Sequence, residues 1–281
     1  MNRLLLSFCA LLFVSCAVFK GNNNKAKVVI LGTIHSDAKK INSDSIYNVL
    51  SGFKPDIILL ELERSVFEKE NTLKKDFDGR NSNEIQAVLA YQQQRPNVQI
   101  KPAELEGRNG YRKKLGVYSE AGFVFKKIDE LQSQGKLSKQ EHADYSQFDR
   151  YWIMTEDIAK QDLKTINSIQ SDKIVDSLMF YQYVKTKEIV NNHNEFNNYK
   201  LVSSREKADT ITFREYYNNW ADFEGSFRNE AIAKNVLKYQ KENPTKKIIL
   251  LTGFKHRFFV KKYLAKHGLN TSEYYKPEFD N

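Results

Sequence analysis

Three apolar runs in this chain end in residues able to move a proton, hold a divalent ion or polarise a carbonyl. Residues 28–31 lead into Gly32-Thr33-Ile34-His35, and residues 248–251 lead into Thr252-Gly253-Phe254-Lys255-His256. Between them, residues 57–60 lead into Glu61-Leu62-Glu63-Arg64. Runs of this kind end at the carboxyl edge of an open α/β sheet, where ligands bind. Imidazole transfers protons near neutral pH and ligates divalent metals. A carboxylate at the end of a buried run is costly to desolvate unless it meets a cation, a metal or a donor, which favours Glu61 and Glu63 over acids on helix surfaces. Strand alternation would put both on one face, and pairing with Arg64 or Lys101 is their structural alternative. Glu104, at the end of the strand expected over 98–103, is a weaker case of the same kind. In each Gly-x-x-His unit the glycine is expected to turn the chain at positive φ. Arg228, with Asn235 two turns later, could hold a carboxylate or stabilise an oxyanion. His142, His193 and His267 stand in polar contexts and are read as solvated.

These residues need a frame to bring them together. Helical spacing over 43–50 starts at Ser43 as N-cap and stops at Gly52 before Pro55. Strands are expected over 57–62 and 98–103, with a helix over 84–94 between them, an order that indicates parallel crossovers. Over 119–199 the pattern is helical throughout: Phe123, Ile128 and Leu131, then Tyr151, Ile153, Met154 and Ile158, then Ile174, Leu178, Tyr181 and Tyr183. The expected class is α/β, a mixed, mainly parallel sheet flanked by helices, with a helical lobe inserted at about 119–210 and its aromatic residues serving as core. A helix over 227–237 with an exposed Glu230–Lys234 pair ends at Asn243-Pro244. A strand over 247–251 and a helix over 254–266, stopped by Gly268, complete the domain.

The N-terminus reads as an export signal: Arg3, an apolar stretch, then Ser15 and Cys16. Phe13-Val14-Ser15-Cys16 is similar to a lipobox, so Cys16 is expected to be lipidated after removal of residues 1–15. Residues 16–26 would be anchor and tether, and residues 27–281 the domain. No Cys follows Cys16, which excludes disulfides, thiolate ligands and a cysteine nucleophile from the domain. The formal charge is +9, with basic and acidic residues interleaved. That balance suits anionic headgroups or polysaccharide, and no nucleic-acid motif accompanies it. The expected address is the bacterial cell envelope, lipid-anchored in the outer membrane and facing the periplasm, because Ala17 is not the Asp that retains many lipoproteins at the inner membrane. Oligomeric state is not set by these features.

Four segments in order, Leu31-Gly32-Thr33-Ile34-His35, Leu60-Glu61-Leu62-Glu63-Arg64, Arg228-Asn229-Glu230-Ala231-Ile232-Ala233 and Thr252-Gly253-Phe254-Lys255-His256, resemble the TraB, PrgY, GumN and Tiki superfamily, with its erythromycin esterase-like and ChaN-like branches. The resemblance implies an α/β core whose cleft gathers His35, Glu61 and His256, with Arg228 in support. It implies a metal-assisted hydrolase of peptide or ester bonds: His35, Glu61 and His256 would bind Zn, Mn or Co, Glu61 or Glu63 would act as base, and Arg228 would polarise the carbonyl or hold a substrate carboxylate. Lys255, where relatives often have a small or apolar residue, puts a second positive charge close to such a metal. The alternative is a ligand-binding lipoprotein that holds a peptide or haem in the same cleft, haem being disfavoured by the lack of soft axial ligands.

Overall fold

The computed structural model describes residues 27–34, 40–69, 72–117, 121–198, 200–202 and 210–275. The export signal, Cys16, the tether and His35 lie outside the described residues. In chain order, β1 (Val28–Thr33) is followed by α1 (Ser43–Phe53), β2 (Ile57–Leu60), α2 (Asn83–Gln94), β3 (Gln99–Pro102) and α3 (Arg108–Leu115). A lobe of α4 (Ala121–Ser133), α5 (Lys139–Ala159), α6 (Ile169–Phe180) and α7 (Phe213–Asp222), with shorter helices among them, leads to α8 (Arg228–Glu242), β4 (Ile248–Gly253) and α9 (Phe254–Lys266). None of the described helices is long and apolar enough to cross a membrane.

The four strands form one sheet in the order β1-β4-β2-β3, and all three pairings are parallel. The sheet is therefore wholly parallel rather than mixed, and its four carboxyl ends share one edge. Parity splits the side chains between two cores. Val29, Leu31, Ile58, Leu60, Ile249 and Leu251 pack with α1 and α2. Val28, Ile30, Ile57, Leu59, Ile248 and Leu250 pack with Ile232 and Val236 of α8 and Val260 and Leu264 of α9. Burial on both faces explains why the strands are unbroken apolar runs.

Several expected boundaries move. Strand β2 stops at Leu60, because the chain bends at Glu61 and Leu62 N returns to Leu60 O at 2.7 Å. The parity argument that put Glu61 and Glu63 on one face therefore does not apply. Asn42, not Ser43, caps α1 through a reciprocal bond with Ser45. Gly52 lies inside α1, and Lys54 takes the left-handed position at φ 52° that ends it. At the end of α9, Gly268 adopts φ 80°, with Leu269 N bonded to Leu264 O at 3.0 Å, the αL stop expected there.

Neither Gly32 nor Gly253 has positive φ. Gly32 is required for a different reason: a Cβ there would stand 2.8 Å from Phe254 Cα, so only hydrogen lets α9 start against β1. Gly32→Ala is expected to cost about 1–3 kcal/mol through overpacking, measured by urea unfolding. An unchanged midpoint would show that the junction has slack.

The lobe has its own core, including Val124, Ile128, Tyr145, Phe148, Phe196, Tyr216 and Tyr217. Phe123 and Ile153 are exposed instead, at 59% and 61%. A hairpin pairing Lys200–Val202 with Thr210–Thr212, absent from the helical reading of 119–210, follows the lobe's short helices. Two π-helical segments, Tyr181–Lys185 and Phe223–Phe227, extend α6 and α7. Tyr183 of the first lies on Gly225 of the second, where a Cβ would meet Tyr183 Cγ at 2.9 Å. The second segment delivers the chain to Arg228.

Candidate functional site

Strand register builds the site. Leu60 is level with both Leu251 and Pro102, so Glu61 emerges beside Thr252, and Ala103 and Glu104 emerge on its other side. Glu61 Oε2 accepts from Thr252 Oγ1 (2.6 Å) and from Gly253 N (2.8 Å) at the start of α9. The helix N-terminus favours this negative charge. One strand further, Thr33 Oγ1 donates to Glu84 Oε1 at 2.7 Å and lies 3.1 Å from the Thr252 carbonyl. Asn167, fully buried, holds the Gly32 peptide from both sides, accepting from Gly32 N (2.7 Å) and donating to Gly32 O (2.9 Å).

Arg228, in the first turn of α8, crosses this edge and uses all five of its N–H donors. Nε points at Glu104, 3.1 Å from each carboxylate oxygen. Nη2 reaches Glu104 Oε2 at 2.6 Å and also bonds Glu61 Oε1. Nη1 lies 3.2 Å from both Glu224 Oε2 and His256 Nε2. Burial opposes this charge, but hydrogen bonds to Glu104 and the charges of Glu61, Glu104 and Glu224 outweigh it and raise the Arg228 pKa. Glu104 is held in turn by Arg108 Nη1 at 3.1 Å and Leu105 N at 2.8 Å. Asn235 donates to the carbonyls of Ala103 (3.1 Å) and Glu104 (3.2 Å), fixing the loop that presents this acid.

The tautomer of His256 follows from its neighbours. Asn229 Nδ2 donates to the Glu224 carbonyl at 2.8 Å, so Asn229 Oδ1 is the atom facing His256 Nδ1 at 2.6 Å, and Nδ1 carries the hydrogen. Nε2 then presents its lone pair toward Arg228, 3.8 Å from Glu61 Oε1. Burial lowers the His256 pKa, the charge of Glu61 opposes that, and Arg228 adds to the lowering. The imidazole is therefore neutral near pH 7. Its folded value lies below that of the unfolded chain, so the unfolded chain takes up this proton first as pH falls. The stability His256 contributes is whole above about pH 6.5 and is lost as pH falls through the folded value. His256→Gln is expected to flatten that part of a stability-versus-pH curve. An identical acid slope in both proteins would contradict the neutral assignment.

The structure brings together Glu61, Arg228 and His256, and adds Glu104 at their centre. It does not bring in Glu63, whose carboxylate turns away to accept from Gly107 N at 3.0 Å. Of the structural partners considered for these acids, Arg64 turns its side chain elsewhere, Nη1 lying 3.5 Å from the Lys69 carbonyl. Lys255 points to the lobe, 3.3 Å from Glu156 Oε1 and 4.7 Å from the Trp152 ring. It therefore adds no charge to the cleft. Among the other histidines, His193 is not simply solvated, since its Nε2 lies 3.3 Å from Glu141 Oε2 and its side chain is 15% exposed. All the Arg228 donors are engaged inside the protein, so a substrate oxygen would reach Nη1 only by displacing His256 Nε2 or Glu224 Oε2.

Two of the three expected metal ligands, Glu61 and His256, are adjacent, but Arg228 Nη2 and Nη1 occupy the atoms that would bind the ion. The described residues thus fit a guanidinium rather than a dication. Among them, no group of three or more His, Cys, Asp or Glu is arranged to hold a metal.

Sequence reasoning missed Glu224, Asn229, Thr252 and Asn167. Glu224 stands four residues before Arg228, the spacing of a helical ion pair, and is the signal that could have been used. Asn229 and Thr252 lie inside the quoted segments, beside the residues singled out. Asn167 has no local signal. Comparison with protein-family models, curated proteins and solved structures gives no match for this chain.

Proposed function

We propose that this sheet edge is the active site of a hydrolase that cleaves a peptide or ester bond, with His256 as general base. The observation that supports this most is the imidazole: neutral, oriented through Nδ1, with Nε2 turned toward Arg228 and Glu61. Exposure gives the side of approach, since His256 and Glu224 are 16% exposed whereas Glu104 is 1% exposed. Glu61 also lines a cavity of about 230 Å³ with Glu84, Leu60 and Leu251, on a side that His256 and Arg228 do not line.

A substrate carbonyl that takes the Arg228 Nη1–H from His256 Nε2 gains an oxyanion donor and uncovers the imidazole lone pair. Water gives a proton to Nε2 as its oxygen adds to the carbonyl carbon. Collapse breaks the bond to the leaving amine or alkoxide, which receives the proton back from Nε2. Glu61 stabilises the imidazolium between these steps. The metal-assisted version, with His35, Glu61 and His256 as ligands, follows from the resemblance to the TraB and Tiki superfamily.

Peptide and ester libraries incubated with purified protein, with and without EDTA, test the proposal. Expected is turnover that survives chelation and is lost in His256→Gln. Loss with EDTA and recovery with Zn, Mn or Co would favour the metal version. A ligand-binding role is favoured by one observation, the full engagement of Arg228. Saturable peptide binding without turnover, or a haem Soret shift lost in His256→Ala, would support it. The same proposal places the protein in the envelope through Cys16, and Cys16→Ser should release it from membranes.

A further inference from the structure

The helical lobe contains a groove of about 460 Å³ whose walls include none of the residues placed at the sheet edge. Its walls are a continuous run of rings. Trp220 meets Phe125 with centroids 6.3 Å apart, Phe125 meets Phe148 at 5.0 Å, and Phe148 meets Trp152 at 6.0 Å. Two carboxylates, Asp129 and Asp149, complete the lining, and no lysine or arginine of the described residues forms an ion pair with either. Asp129 is held in place by Tyr145 Oη at 3.0 Å. Burial, then the neighbouring charge of Asp129, push the Asp149 carboxyl up, as expected where acids share a site without a counter-ion.

Gln182 points to a ligand independently. It is only 6% exposed and lines the groove, yet its side-chain amide makes no hydrogen bond to a described residue; its backbone carbonyl takes the Tyr217 hydroxyl. Its amide opens on the groove rather than being sealed inside the protein, so it can bond a polar group that enters there. Lys255 sits over Trp152 but is paired with Glu156 and is not part of the lining. Aromatic faces attract cations, carboxylates neutralise them, and an amide oxygen accepts an N–H from them.

We infer that this groove binds an organic cation bearing N–H groups, the ammonium of a lysine side chain or of a free alkylamine. The inference does not depend on hydrolysis at the sheet edge. Trp152 and Trp220 are the chain's 2 tryptophans and both line the groove, so tryptophan fluorescence, excited selectively over tyrosine, reports on it. The protein would be titrated with N-acetyl-lysine methylamide as the peptide source, cadaverine as the free amine, tetramethylammonium, and neutral N-acetyl-norleucine methylamide. Expected is a saturable change with the first two, the tighter one identifying the source, and none with the neutral isostere. Asp129→Asn with Asp149→Asn, which keeps the bond from Tyr145, should weaken binding about tenfold or more. Gln182→Leu should weaken the N–H ligands while sparing tetramethylammonium. His256→Gln should bind as wild type does, which separates this result from the fate of the hydrolase proposal. No saturable change with either amine, equal binding of the neutral isostere, or unaltered affinity in the folded double variant would overturn it.

Discussion

Glu61→Gln is expected to lower kcat/KM by about 10²–10³-fold, while Glu63→Gln changes it little. Glu61 has two jobs that an amide cannot share. Its Oε2 accepts from Thr252 and Gly253, and its Oε1 accepts from Arg228 and faces His256 Nε2 at 3.8 Å. A glutamine must turn an N–H group toward one of these donor sets, and it provides no negative charge for the imidazolium. Glu63 is occupied at Gly107, outside this network. Rates measured on variants shown to be folded by circular dichroism decide the matter. The reverse ranking would move the essential carboxylate to Glu63.

Arg228→Met is expected to destabilise the fold by about 3–5 kcal/mol, the range for removing one partner of a buried ion pair. The loss leaves Glu61, Glu104 and Glu224 facing one another, with Glu104 1% exposed. Arg108 still neutralises Glu104 from the outer side, but nothing comparable is described for Glu224. If repulsion is the cause, Arg228→Met combined with Glu104→Gln should cost less than the two single changes added together. Urea unfolding of the four proteins measures this. Full additivity would mean that Arg228 acts through packing of its stem rather than through charge.

What was legible in the sequence was where strands end and which residues follow them. Unbroken apolar runs mark strands buried on both faces, and Glu61, Arg228 and His256 were found because each stands at such an end or opens a neighbouring helix. Lateral order was not legible. Nothing in residues 248–253 says that this strand lies between the first two, and that insertion is what sets Glu61 against Thr252. Periodicity reports a face and never a neighbour, so it gave no hint that Arg228 would bond Glu104 and Glu61 at once. The pairing of Glu61 with Glu63 failed because alternation holds only while the strand lasts, and a single bend at Glu61 ended it. The shift of the first helix cap from Ser43 to Asn42 has a similar cause. Both residues can cap, and only the reciprocal bond with Ser45 selects one. Asn167 escaped notice because its partner, the Gly32 peptide, is 135 residues away.

The central claim is that Arg228 and Asn229 hold His256 as a neutral imidazole with its Nε2 lone pair at the sheet edge. Long-range proton–nitrogen correlation spectra of the ¹⁵N-labelled protein at pH 7 test it most directly, with His256→Gln identifying the relevant signals among the 5 histidines. The predicted pattern is that of the neutral Nδ1–H tautomer, persisting below pH 6.5, the ordinary imidazole midpoint. An imidazolium at pH 7, or the Nε2–H tautomer, would contradict the account.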